Sequence, residues 1–158
     1  MTTKKKELIV TSALPYANGP LHFGHLLEHI QTDIWVRAQR ILGNHCIYLC
    51  ASDAHGTPIM MKAEEENVPP EKLVDKYMKE HKKTLEAFQV SHDCYYQTHS
   101  EENKKYSELI YNAALKNGFI SKKNIKQLFD EEKKLFLADR YVQGNCPKCN
   151  APNPVSYT

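Results

Sequence analysis

Leu8-Ile9-Val10-Thr11-Ser12-Ala13, then Leu14-Pro15-Tyr16-Ala17-Asn18-Gly19-Pro20-Leu21, then His22-Phe23-Gly24-His25 and the run from Leu26 to Gly43 form one stretch whose pattern changes twice. Leu8 to Ala13 is short, apolar and β-branched, and Pro, Asn-Gly and Pro follow at once. A buried strand that ends in a turn has this composition. From Leu26 the apolar residues Leu27, Ile30, Ile34, Trp35, Ala38, Ile41 and Leu42 recur at helical spacing, with Gly43 as a C-terminal stop. His22 and His25 therefore fall where a strand hands over to a helix.

That position has a chemical consequence. The first turn of a helix carries unpaired N–H groups and the positive end of the helix dipole, so it attracts phosphate. Imidazole donors added there can stabilise phosphate oxygens as negative charge builds in nucleotidyl transfer. Gly24 removes a side chain between the two rings and lets a ligand approach the backbone. The plainer reading has one histidine capping the helix while the other faces water. His-x-Gly-His behind a Pro/Asn-Gly/Pro loop favours the functional one.

Moving outward, His45 to Cys50 reads as a second buried strand, so strand, crossover helix and strand make a βαβ unit and imply a parallel sheet. Ligands on such sheets bind beyond the carboxyl ends of the strands, where both the first turn and the Ala51-Ser52-Asp53 loop lie. An Asp at that place can hold an ammonium through a charge-assisted hydrogen bond, or can order its own turn. Thr57-Pro58 is read as an N-cap with Pro at N1 for a short helix over 59–67. Pro69-Pro70 opens a longer helix with Leu73, Tyr77, His81, Leu85 and Phe88 as a core stripe, on which His81 is a packed or exposed residue rather than a ligand. A strand over 93–98 and a helix capped by Ser100 follow, with Glu101 and Glu102 complementing the dipole instead of forming an acid pair. Beyond Gly118, Phe119-Ile120, Ile125 to Phe129 and Leu135 to Val142 read as short strand-like pieces.

Composition sets the frame for these elements. The chain has 158 residues, enough for a core, and a formal charge of +2 that carries no argument for nucleic-acid binding. Its lysine pairs are ordinary solvated faces. No apolar run is long enough to cross a bilayer, and the short apolar segment behind Lys4-Lys5-Lys6 is no secretory signal. An odd count of five cysteines fits reduced thiols and a cytoplasmic setting.

Leu14 to His25 resembles the HIGH-motif region of class I aminoacyl-tRNA synthetases, in particular the methionyl-tRNA synthetases. Ala51-Ser52-Asp53-Ala54-His55-Gly56-Thr57-Pro58-Ile59 resembles their second signature. Thr98-His99-Ser100-Glu101-Glu102-Asn103 and Phe136-Leu137-Ala138-Asp139-Arg140, leading into Cys146-Pro147-Lys148-Cys149, match in the same order. The resemblance implies a Rossmann-like parallel-sheet catalytic domain over 1–118 and the start of a connective, zinc-knuckle insertion over 119–158. It implies activation of methionine by Mg2+-ATP to methionyl-adenylate, then transfer to initiator and elongator methionine tRNA. His22 and His25 are the implied catalytic residues, binding ATP together with Gly24, while Ala13, Leu14, Tyr16 and Asp53 hold methionine. His55 has the family's residue type and a supporting role.

Cys146 and Cys149 have the spacing of a thiolate pair, half of a zinc site. The family's second Cys pair and its Lys-Met-Ser-Lys-Ser loop do not occur, and the sequence departs from the family pattern after Asn153. These features predict a truncated N-terminal fragment, inactive alone, with zinc doubtful and a complementing chain supplying the missing half. Two other readings are a small nucleotidylyltransferase using His-x-Gly-His on another acceptor, and a non-catalytic RNA-binding module derived from a synthetase.

Overall fold

The computed structural model describes residues 5–126, 128–132, 135–136, 144–145 and 149–150. The chain divides into two compact units, the first ending at Leu109 and the second beginning at Ile110. In the first, the order is β1 (Glu7–Thr11), α1 (Phe23–Ile41), β2 (His45–Ser52), α2 (Thr57–Glu66), α3 (Pro70–Ala87), β3 (Cys94–Gln97) and the start of α4 (Glu101–Lys116). The strands form a parallel sheet in the order β1-β2-β3, with Ile9 opposite Ile47 and Cys50 opposite Tyr95. Parallel strands need crossover connections, which α1 supplies once and α2 with α3 supply again. The result is the Rossmann-like α/β arrangement that the βαβ pattern predicts.

Two apolar clusters hold it together. Val36, Tyr48, Leu85, Val90 and Tyr95 pack between α1, α3 and the sheet, with Leu8 and Val10 against them. Ile59, Ala63, Leu73, Val74 and Tyr77 join α2 to α3, and Ala17 and Ala54 seat the turn after β1 on that cluster. Burying a side chain such as Leu73 or Leu85 contributes about 1.5–3 kcal/mol.

The helical stripe of α1 does not bury as its spacing predicts. Its buried residues are His29, Asp33 and Val36, whereas Ile34, Ile41 and Leu42 are exposed and Leu27 and Trp35 nearly half so. His29 and Asp33 go inside because each has partners there: Ser12 for the imidazole, and Ser91 and Arg37 for the carboxylate. A buried polar group with its hydrogen bonds made is tolerated. β1 is likewise only half-buried, with Ile9 78% exposed on the outer face of an edge strand. On α3, Leu73, Tyr77, His81 and Leu85 are buried as the spacing predicts, but Phe88, the C-cap, is exposed.

Element ends differ by small amounts. α2 begins at Thr57, so the cap is Gly56 at φ 112 and no side chain caps it. That backbone region suits glycine, and the reversal it produces displaces Thr57 from the capping position. Ser100 does cap α4, its Oγ accepting from the Asn103 N–H at 3.1 Å.

In the second unit, β4 (Phe129–Asp130) pairs antiparallel with β5 (Leu135–Phe136), and the Phe129 and Phe136 rings meet edge to face at 5.0 Å. The strand-like piece at Phe119-Ile120 is not a strand, and among the described residues of the piece from Ile125 only Phe129 lies in one. Phe119 and Ile125 are exposed, and with no partner strand beside them among the described residues an apolar run has nothing to hold it extended. The rest of the piece running to Val142, together with Cys146, lies outside the described residues.

Candidate functional site

The carboxyl ends of the strands converge on one rim. The turn after β1 is laid alongside the end of β2 by two backbone hydrogen bonds, Ala17 N to Asp53 O and Asp53 N to Pro15 O, both 2.8 Å. Tyr16 and Asp53 thereby form an isolated parallel bridge, and the first two sequence signatures become direct neighbours. Leu14 and Tyr16 are 39% and 47% exposed, which places them on the rim and not in the core. Ala13 is exposed too, its N–H donating to Glu28 of α1 at 2.6 Å.

At the start of α1 the two histidines cap the helix together. His22 Nδ1 accepts from the Gly24 and His25 N–H groups at 3.1 and 3.4 Å, while the His22 N–H donates to His25 Nδ1 at 3.3 Å. The rings stack with centroids 3.6 Å apart and planes 20° apart. Both Nδ1 atoms are acceptors in this reciprocal box, so each ring carries its proton on Nε2. Capping and ligand binding are then compatible: Nδ1 satisfies the helix and Nε2–H remains a donor. Partial burial lowers the His25 pKa, and the neighbouring His22 and His81 rings lower it further, against an opposing pull from Glu28. His25 is accordingly a neutral donor at neutral pH.

Gly24 has a second reason to lack a side chain. A Cβ there would come within 3.1 Å of His22 Cε1 and 3.2 Å of Nδ1, closer than such contacts sit comfortably. The glycine makes room for the capping ring as well as for any ligand.

Asp53 stands beside this turn with its Oδ1 near weak donors, the His55 N–H and the Thr98 hydroxyl, both at 3.4 Å. Thr98 is anchored by donation from Ala54 N to its Oγ1 at 2.8 Å and from its own N–H to Ser52 O at 3.0 Å. His55 and His99 contact one another at 3.2 Å, and with Thr98, Ser100, Asn103 and Lys104 they line a cleft of about 610 Å³ at the N-terminus of α4. Glu101 shares that lining and Glu102 does not, as expected of adjacent helical residues.

Two residues at this rim escape the pattern-based reading. Glu28 ties the α1 helix to the backbone at Ala13, and nothing in its sequence context marks it. His81, fully buried on α3, donates from Nε2 to the Gly19 carbonyl at 2.7 Å. A carbonyl can only accept, so Nδ1 is the acceptor from Ser52 Oγ at 3.0 Å, and Ser52 in turn accepts from Tyr95 Oη at 2.9 Å. Burial lowers the His81 pKa, and the bond to Gly19 opposes it. His81 is thus a brace for the loop before His22. A histidine on an apolar stripe two signatures away is the only hint the sequence offers. Cys149 is an exposed free thiol.

Residues 8–155 match the family profile described as tRNA synthetases class I (M). Two solved structures share the fold: "Mycobacterium tuberculosis methionyl-tRNA synthetase in complex with methionyl-adenylate" and the same enzyme "bound by methionyl-adenylate (Met-AMP)". Each has a TM-score of 0.76 and 21% identity over 94% of this chain, which spans 30% of the length of those proteins.

Proposed function

Since the chain belongs to the class I tRNA synthetases of the M family, we propose that it carries the phosphate-facing and amino-group-facing parts of a methionine–tRNA ligase site. The observation that supports this reading is the hydrogen-bonded juxtaposition of the Tyr16 segment with Asp53 at the strand-end rim, with the stacked imidazoles at the start of the helix that follows that segment. In the proposed reaction a methionine carboxylate oxygen attacks the α-phosphorus of ATP, the bond to pyrophosphate breaks, and methionyl-adenylate forms. The methionyl group then passes to the terminal ribose hydroxyl of methionine tRNA, releasing AMP. Mg2+ bound to the triphosphate offsets part of its charge.

The chain's own residues act by position and field. His22 and His25 point Nε2–H donors at phosphate oxygens at the positive end of α1, which favours the charge that develops during transfer. Gly24 admits the nucleotide. Asp53 accepts from the substrate ammonium, with Ala13, Leu14 and Tyr16 around the side chain. A charge-assisted hydrogen bond contributes roughly 1.5–3 kcal/mol, so losing Asp53 weakens methionine binding about 10- to 100-fold.

The connective insertion is proposed to begin near residue 119, with Cys146 and Cys149 as one half of a zinc knuckle. Two thiolates leave a tetrahedral ion without half its ligands, so no step depends on it. The described helices include none long and apolar enough to cross a membrane, and a cytoplasmic setting fits the family. The 158-residue chain by itself is proposed to lack turnover, with the remaining parts of the site supplied by further sequence or a second chain.

Calorimetry with a non-hydrolysable methionyl-adenylate analogue tests the reading. Measurable binding, weakened at least tenfold by Asp53→Ala and by His22→Ala, is expected, with methionine-dependent ATP–pyrophosphate exchange at background. Binding that ignores both substitutions overturns the site assignment, and exchange above background overturns the proposed inactivity.

A further inference from the structure

We propose that Ser12, His29, Cys50 and His92 form a buried site for one divalent cation of the zinc class, made of side chains other than those assigned to the rim. The four side chains come from four places: the end of β1, the inner face of α1, the middle of β2 and the segment entering β3. His29 Nδ1 lies 3.4 Å from His92 Nε2, and Ser12 Oγ lies 3.1 Å from His29 Nδ1 and 3.4 Å from Cys50 Sγ. The donor atoms of His29, Cys50 and His92 all fall within 4.8 Å of one another.

These separations are close to those of a ligand shell. Tetrahedral zinc with bonds of about 2.0–2.1 Å to nitrogen or oxygen and 2.3 Å to sulfur spaces its ligands about 3.3 Å apart, or about 3.6 Å where sulfur is one of the pair. The three spacings given above each fall within roughly 0.2 Å of that geometry. The Cys50 sulfur is within 4.8 Å of both ring nitrogens, so it is the ligand that moves inward on binding.

As a hydrogen bond, by contrast, the imidazole-to-imidazole contact at 3.4 Å is longer than the usual N–H range. Tyr48 Oη supports Ser12 from 3.0 Å, which helps fix the oxygen ligand. Two imidazoles, one thiolate and one oxygen form a donor set of intermediate softness, which selects zinc over magnesium or calcium.

On binding, the Cys50 S–H bond breaks, its proton leaves to solvent, and a sulfur–metal bond forms. His29 Nε2 is buried without a hydrogen-bond partner among the described residues. Missing that outer support costs a metal site about 10- to 100-fold, so micromolar affinity is expected in place of the tighter binding of supported sites.

Cobalt(II) is the probe, added to the full chain carrying Cys146→Ser and Cys149→Ser so that the knuckle pair cannot contribute. One equivalent of cobalt should give a thiolate-to-metal absorption band and intense visible bands of tetrahedral type, and zinc should displace it. Cys50→Ser should abolish the thiolate band, and His92→Gln should weaken binding at least tenfold with an unchanged circular dichroism spectrum. Absence of the band in the chain with both knuckle substitutions overturns the proposal. So does a band that survives Cys50→Ser, or cobalt affinity indifferent to His92→Gln.

Discussion

Replacing His81 with leucine removes the brace between α3 and the loop before His22 while keeping the position apolar and filled. Three groups feel the change. The Gly19 carbonyl loses its donor at 2.7 Å, and because Gly19 is half-buried, water replaces part of that bond. Ser52 Oγ, fully buried, loses its bond to His81 Nδ1 at 3.0 Å. Among the described residues Ser52 and Tyr95 then have two hydroxyl protons and only their mutual bond at 2.9 Å, so one buried O–H is orphaned whichever way they turn. An orphaned buried donor costs about 1–3 kcal/mol, and the weakened Gly19 bond adds about 0.5–1. The expected loss is therefore about 2–4 kcal/mol, read as a lower urea midpoint by circular dichroism at constant slope. Ser52→Ala shares the same chain of bonds, so the double variant should lose at least 0.5 kcal/mol less than the sum of the singles, by about the usual coupling of neighbours. Amide exchange should also quicken at Ala17, two residues before the braced Gly19 carbonyl and bonded to Asp53. A loss under about 0.5 kcal/mol, or strict additivity with Ser52→Ala, refutes the brace.

Gly24→Ala should push the His22 ring off its cap, costing about 0.5–2 kcal/mol of stability and weakening adenylate-analogue binding together; loss of stability with unchanged binding would separate capping from ligand contact. Asp33→Ala should cost about 3 kcal/mol or more, because the buried carboxylate accepts from Ser91 and Arg37; a thermal melt within 1 °C of the parent contradicts that, on the scale of roughly 2–4 °C per kcal/mol. Burial alone would raise the Asp33 pKa, but the bonds from Ser91 and Arg37 more than offset it and leave it lowered. Acid should weaken the fold through the histidines. Burial, aided by His29, brings His92 from 6.5 down to about 4, and burial lowers His29 and His81 as well. A lowered imidazole pKa means that the unfolded chain takes up the proton first, so stability is complete above about 6.5 and falls as pH drops towards 4. For His92 the shift corresponds to about 3 kcal/mol, reduced to roughly 1–2 by solvent screening of a ring that is not fully buried. Urea midpoints with chelator present should decline between pH 7.5 and 5, and a flat profile would show that these rings titrate alike in both states.

The sequence by itself determined the order of elements and the place of the rim. Apolar runs of strand length, punctuated by Pro, Asn-Gly and Gly43, leave little choice but a parallel βαβ, and a parallel sheet presents its strand ends on one side. The position of His22, His25 and Asp53 at those ends was legible, and the structure places them there. Only tertiary structure decided which polar residues turn inward. Periodicity assigns residues by polarity, so it put Ile34 and Ile41 inside α1 and said nothing for His29 and Asp33. Those two are buried because Ser12 and Ser91, distant in sequence, arrive with hydrogen bonds that offset desolvation, and His81 becomes a loop brace for the same reason. Partners that exist only after folding cannot be read from spacing along the chain.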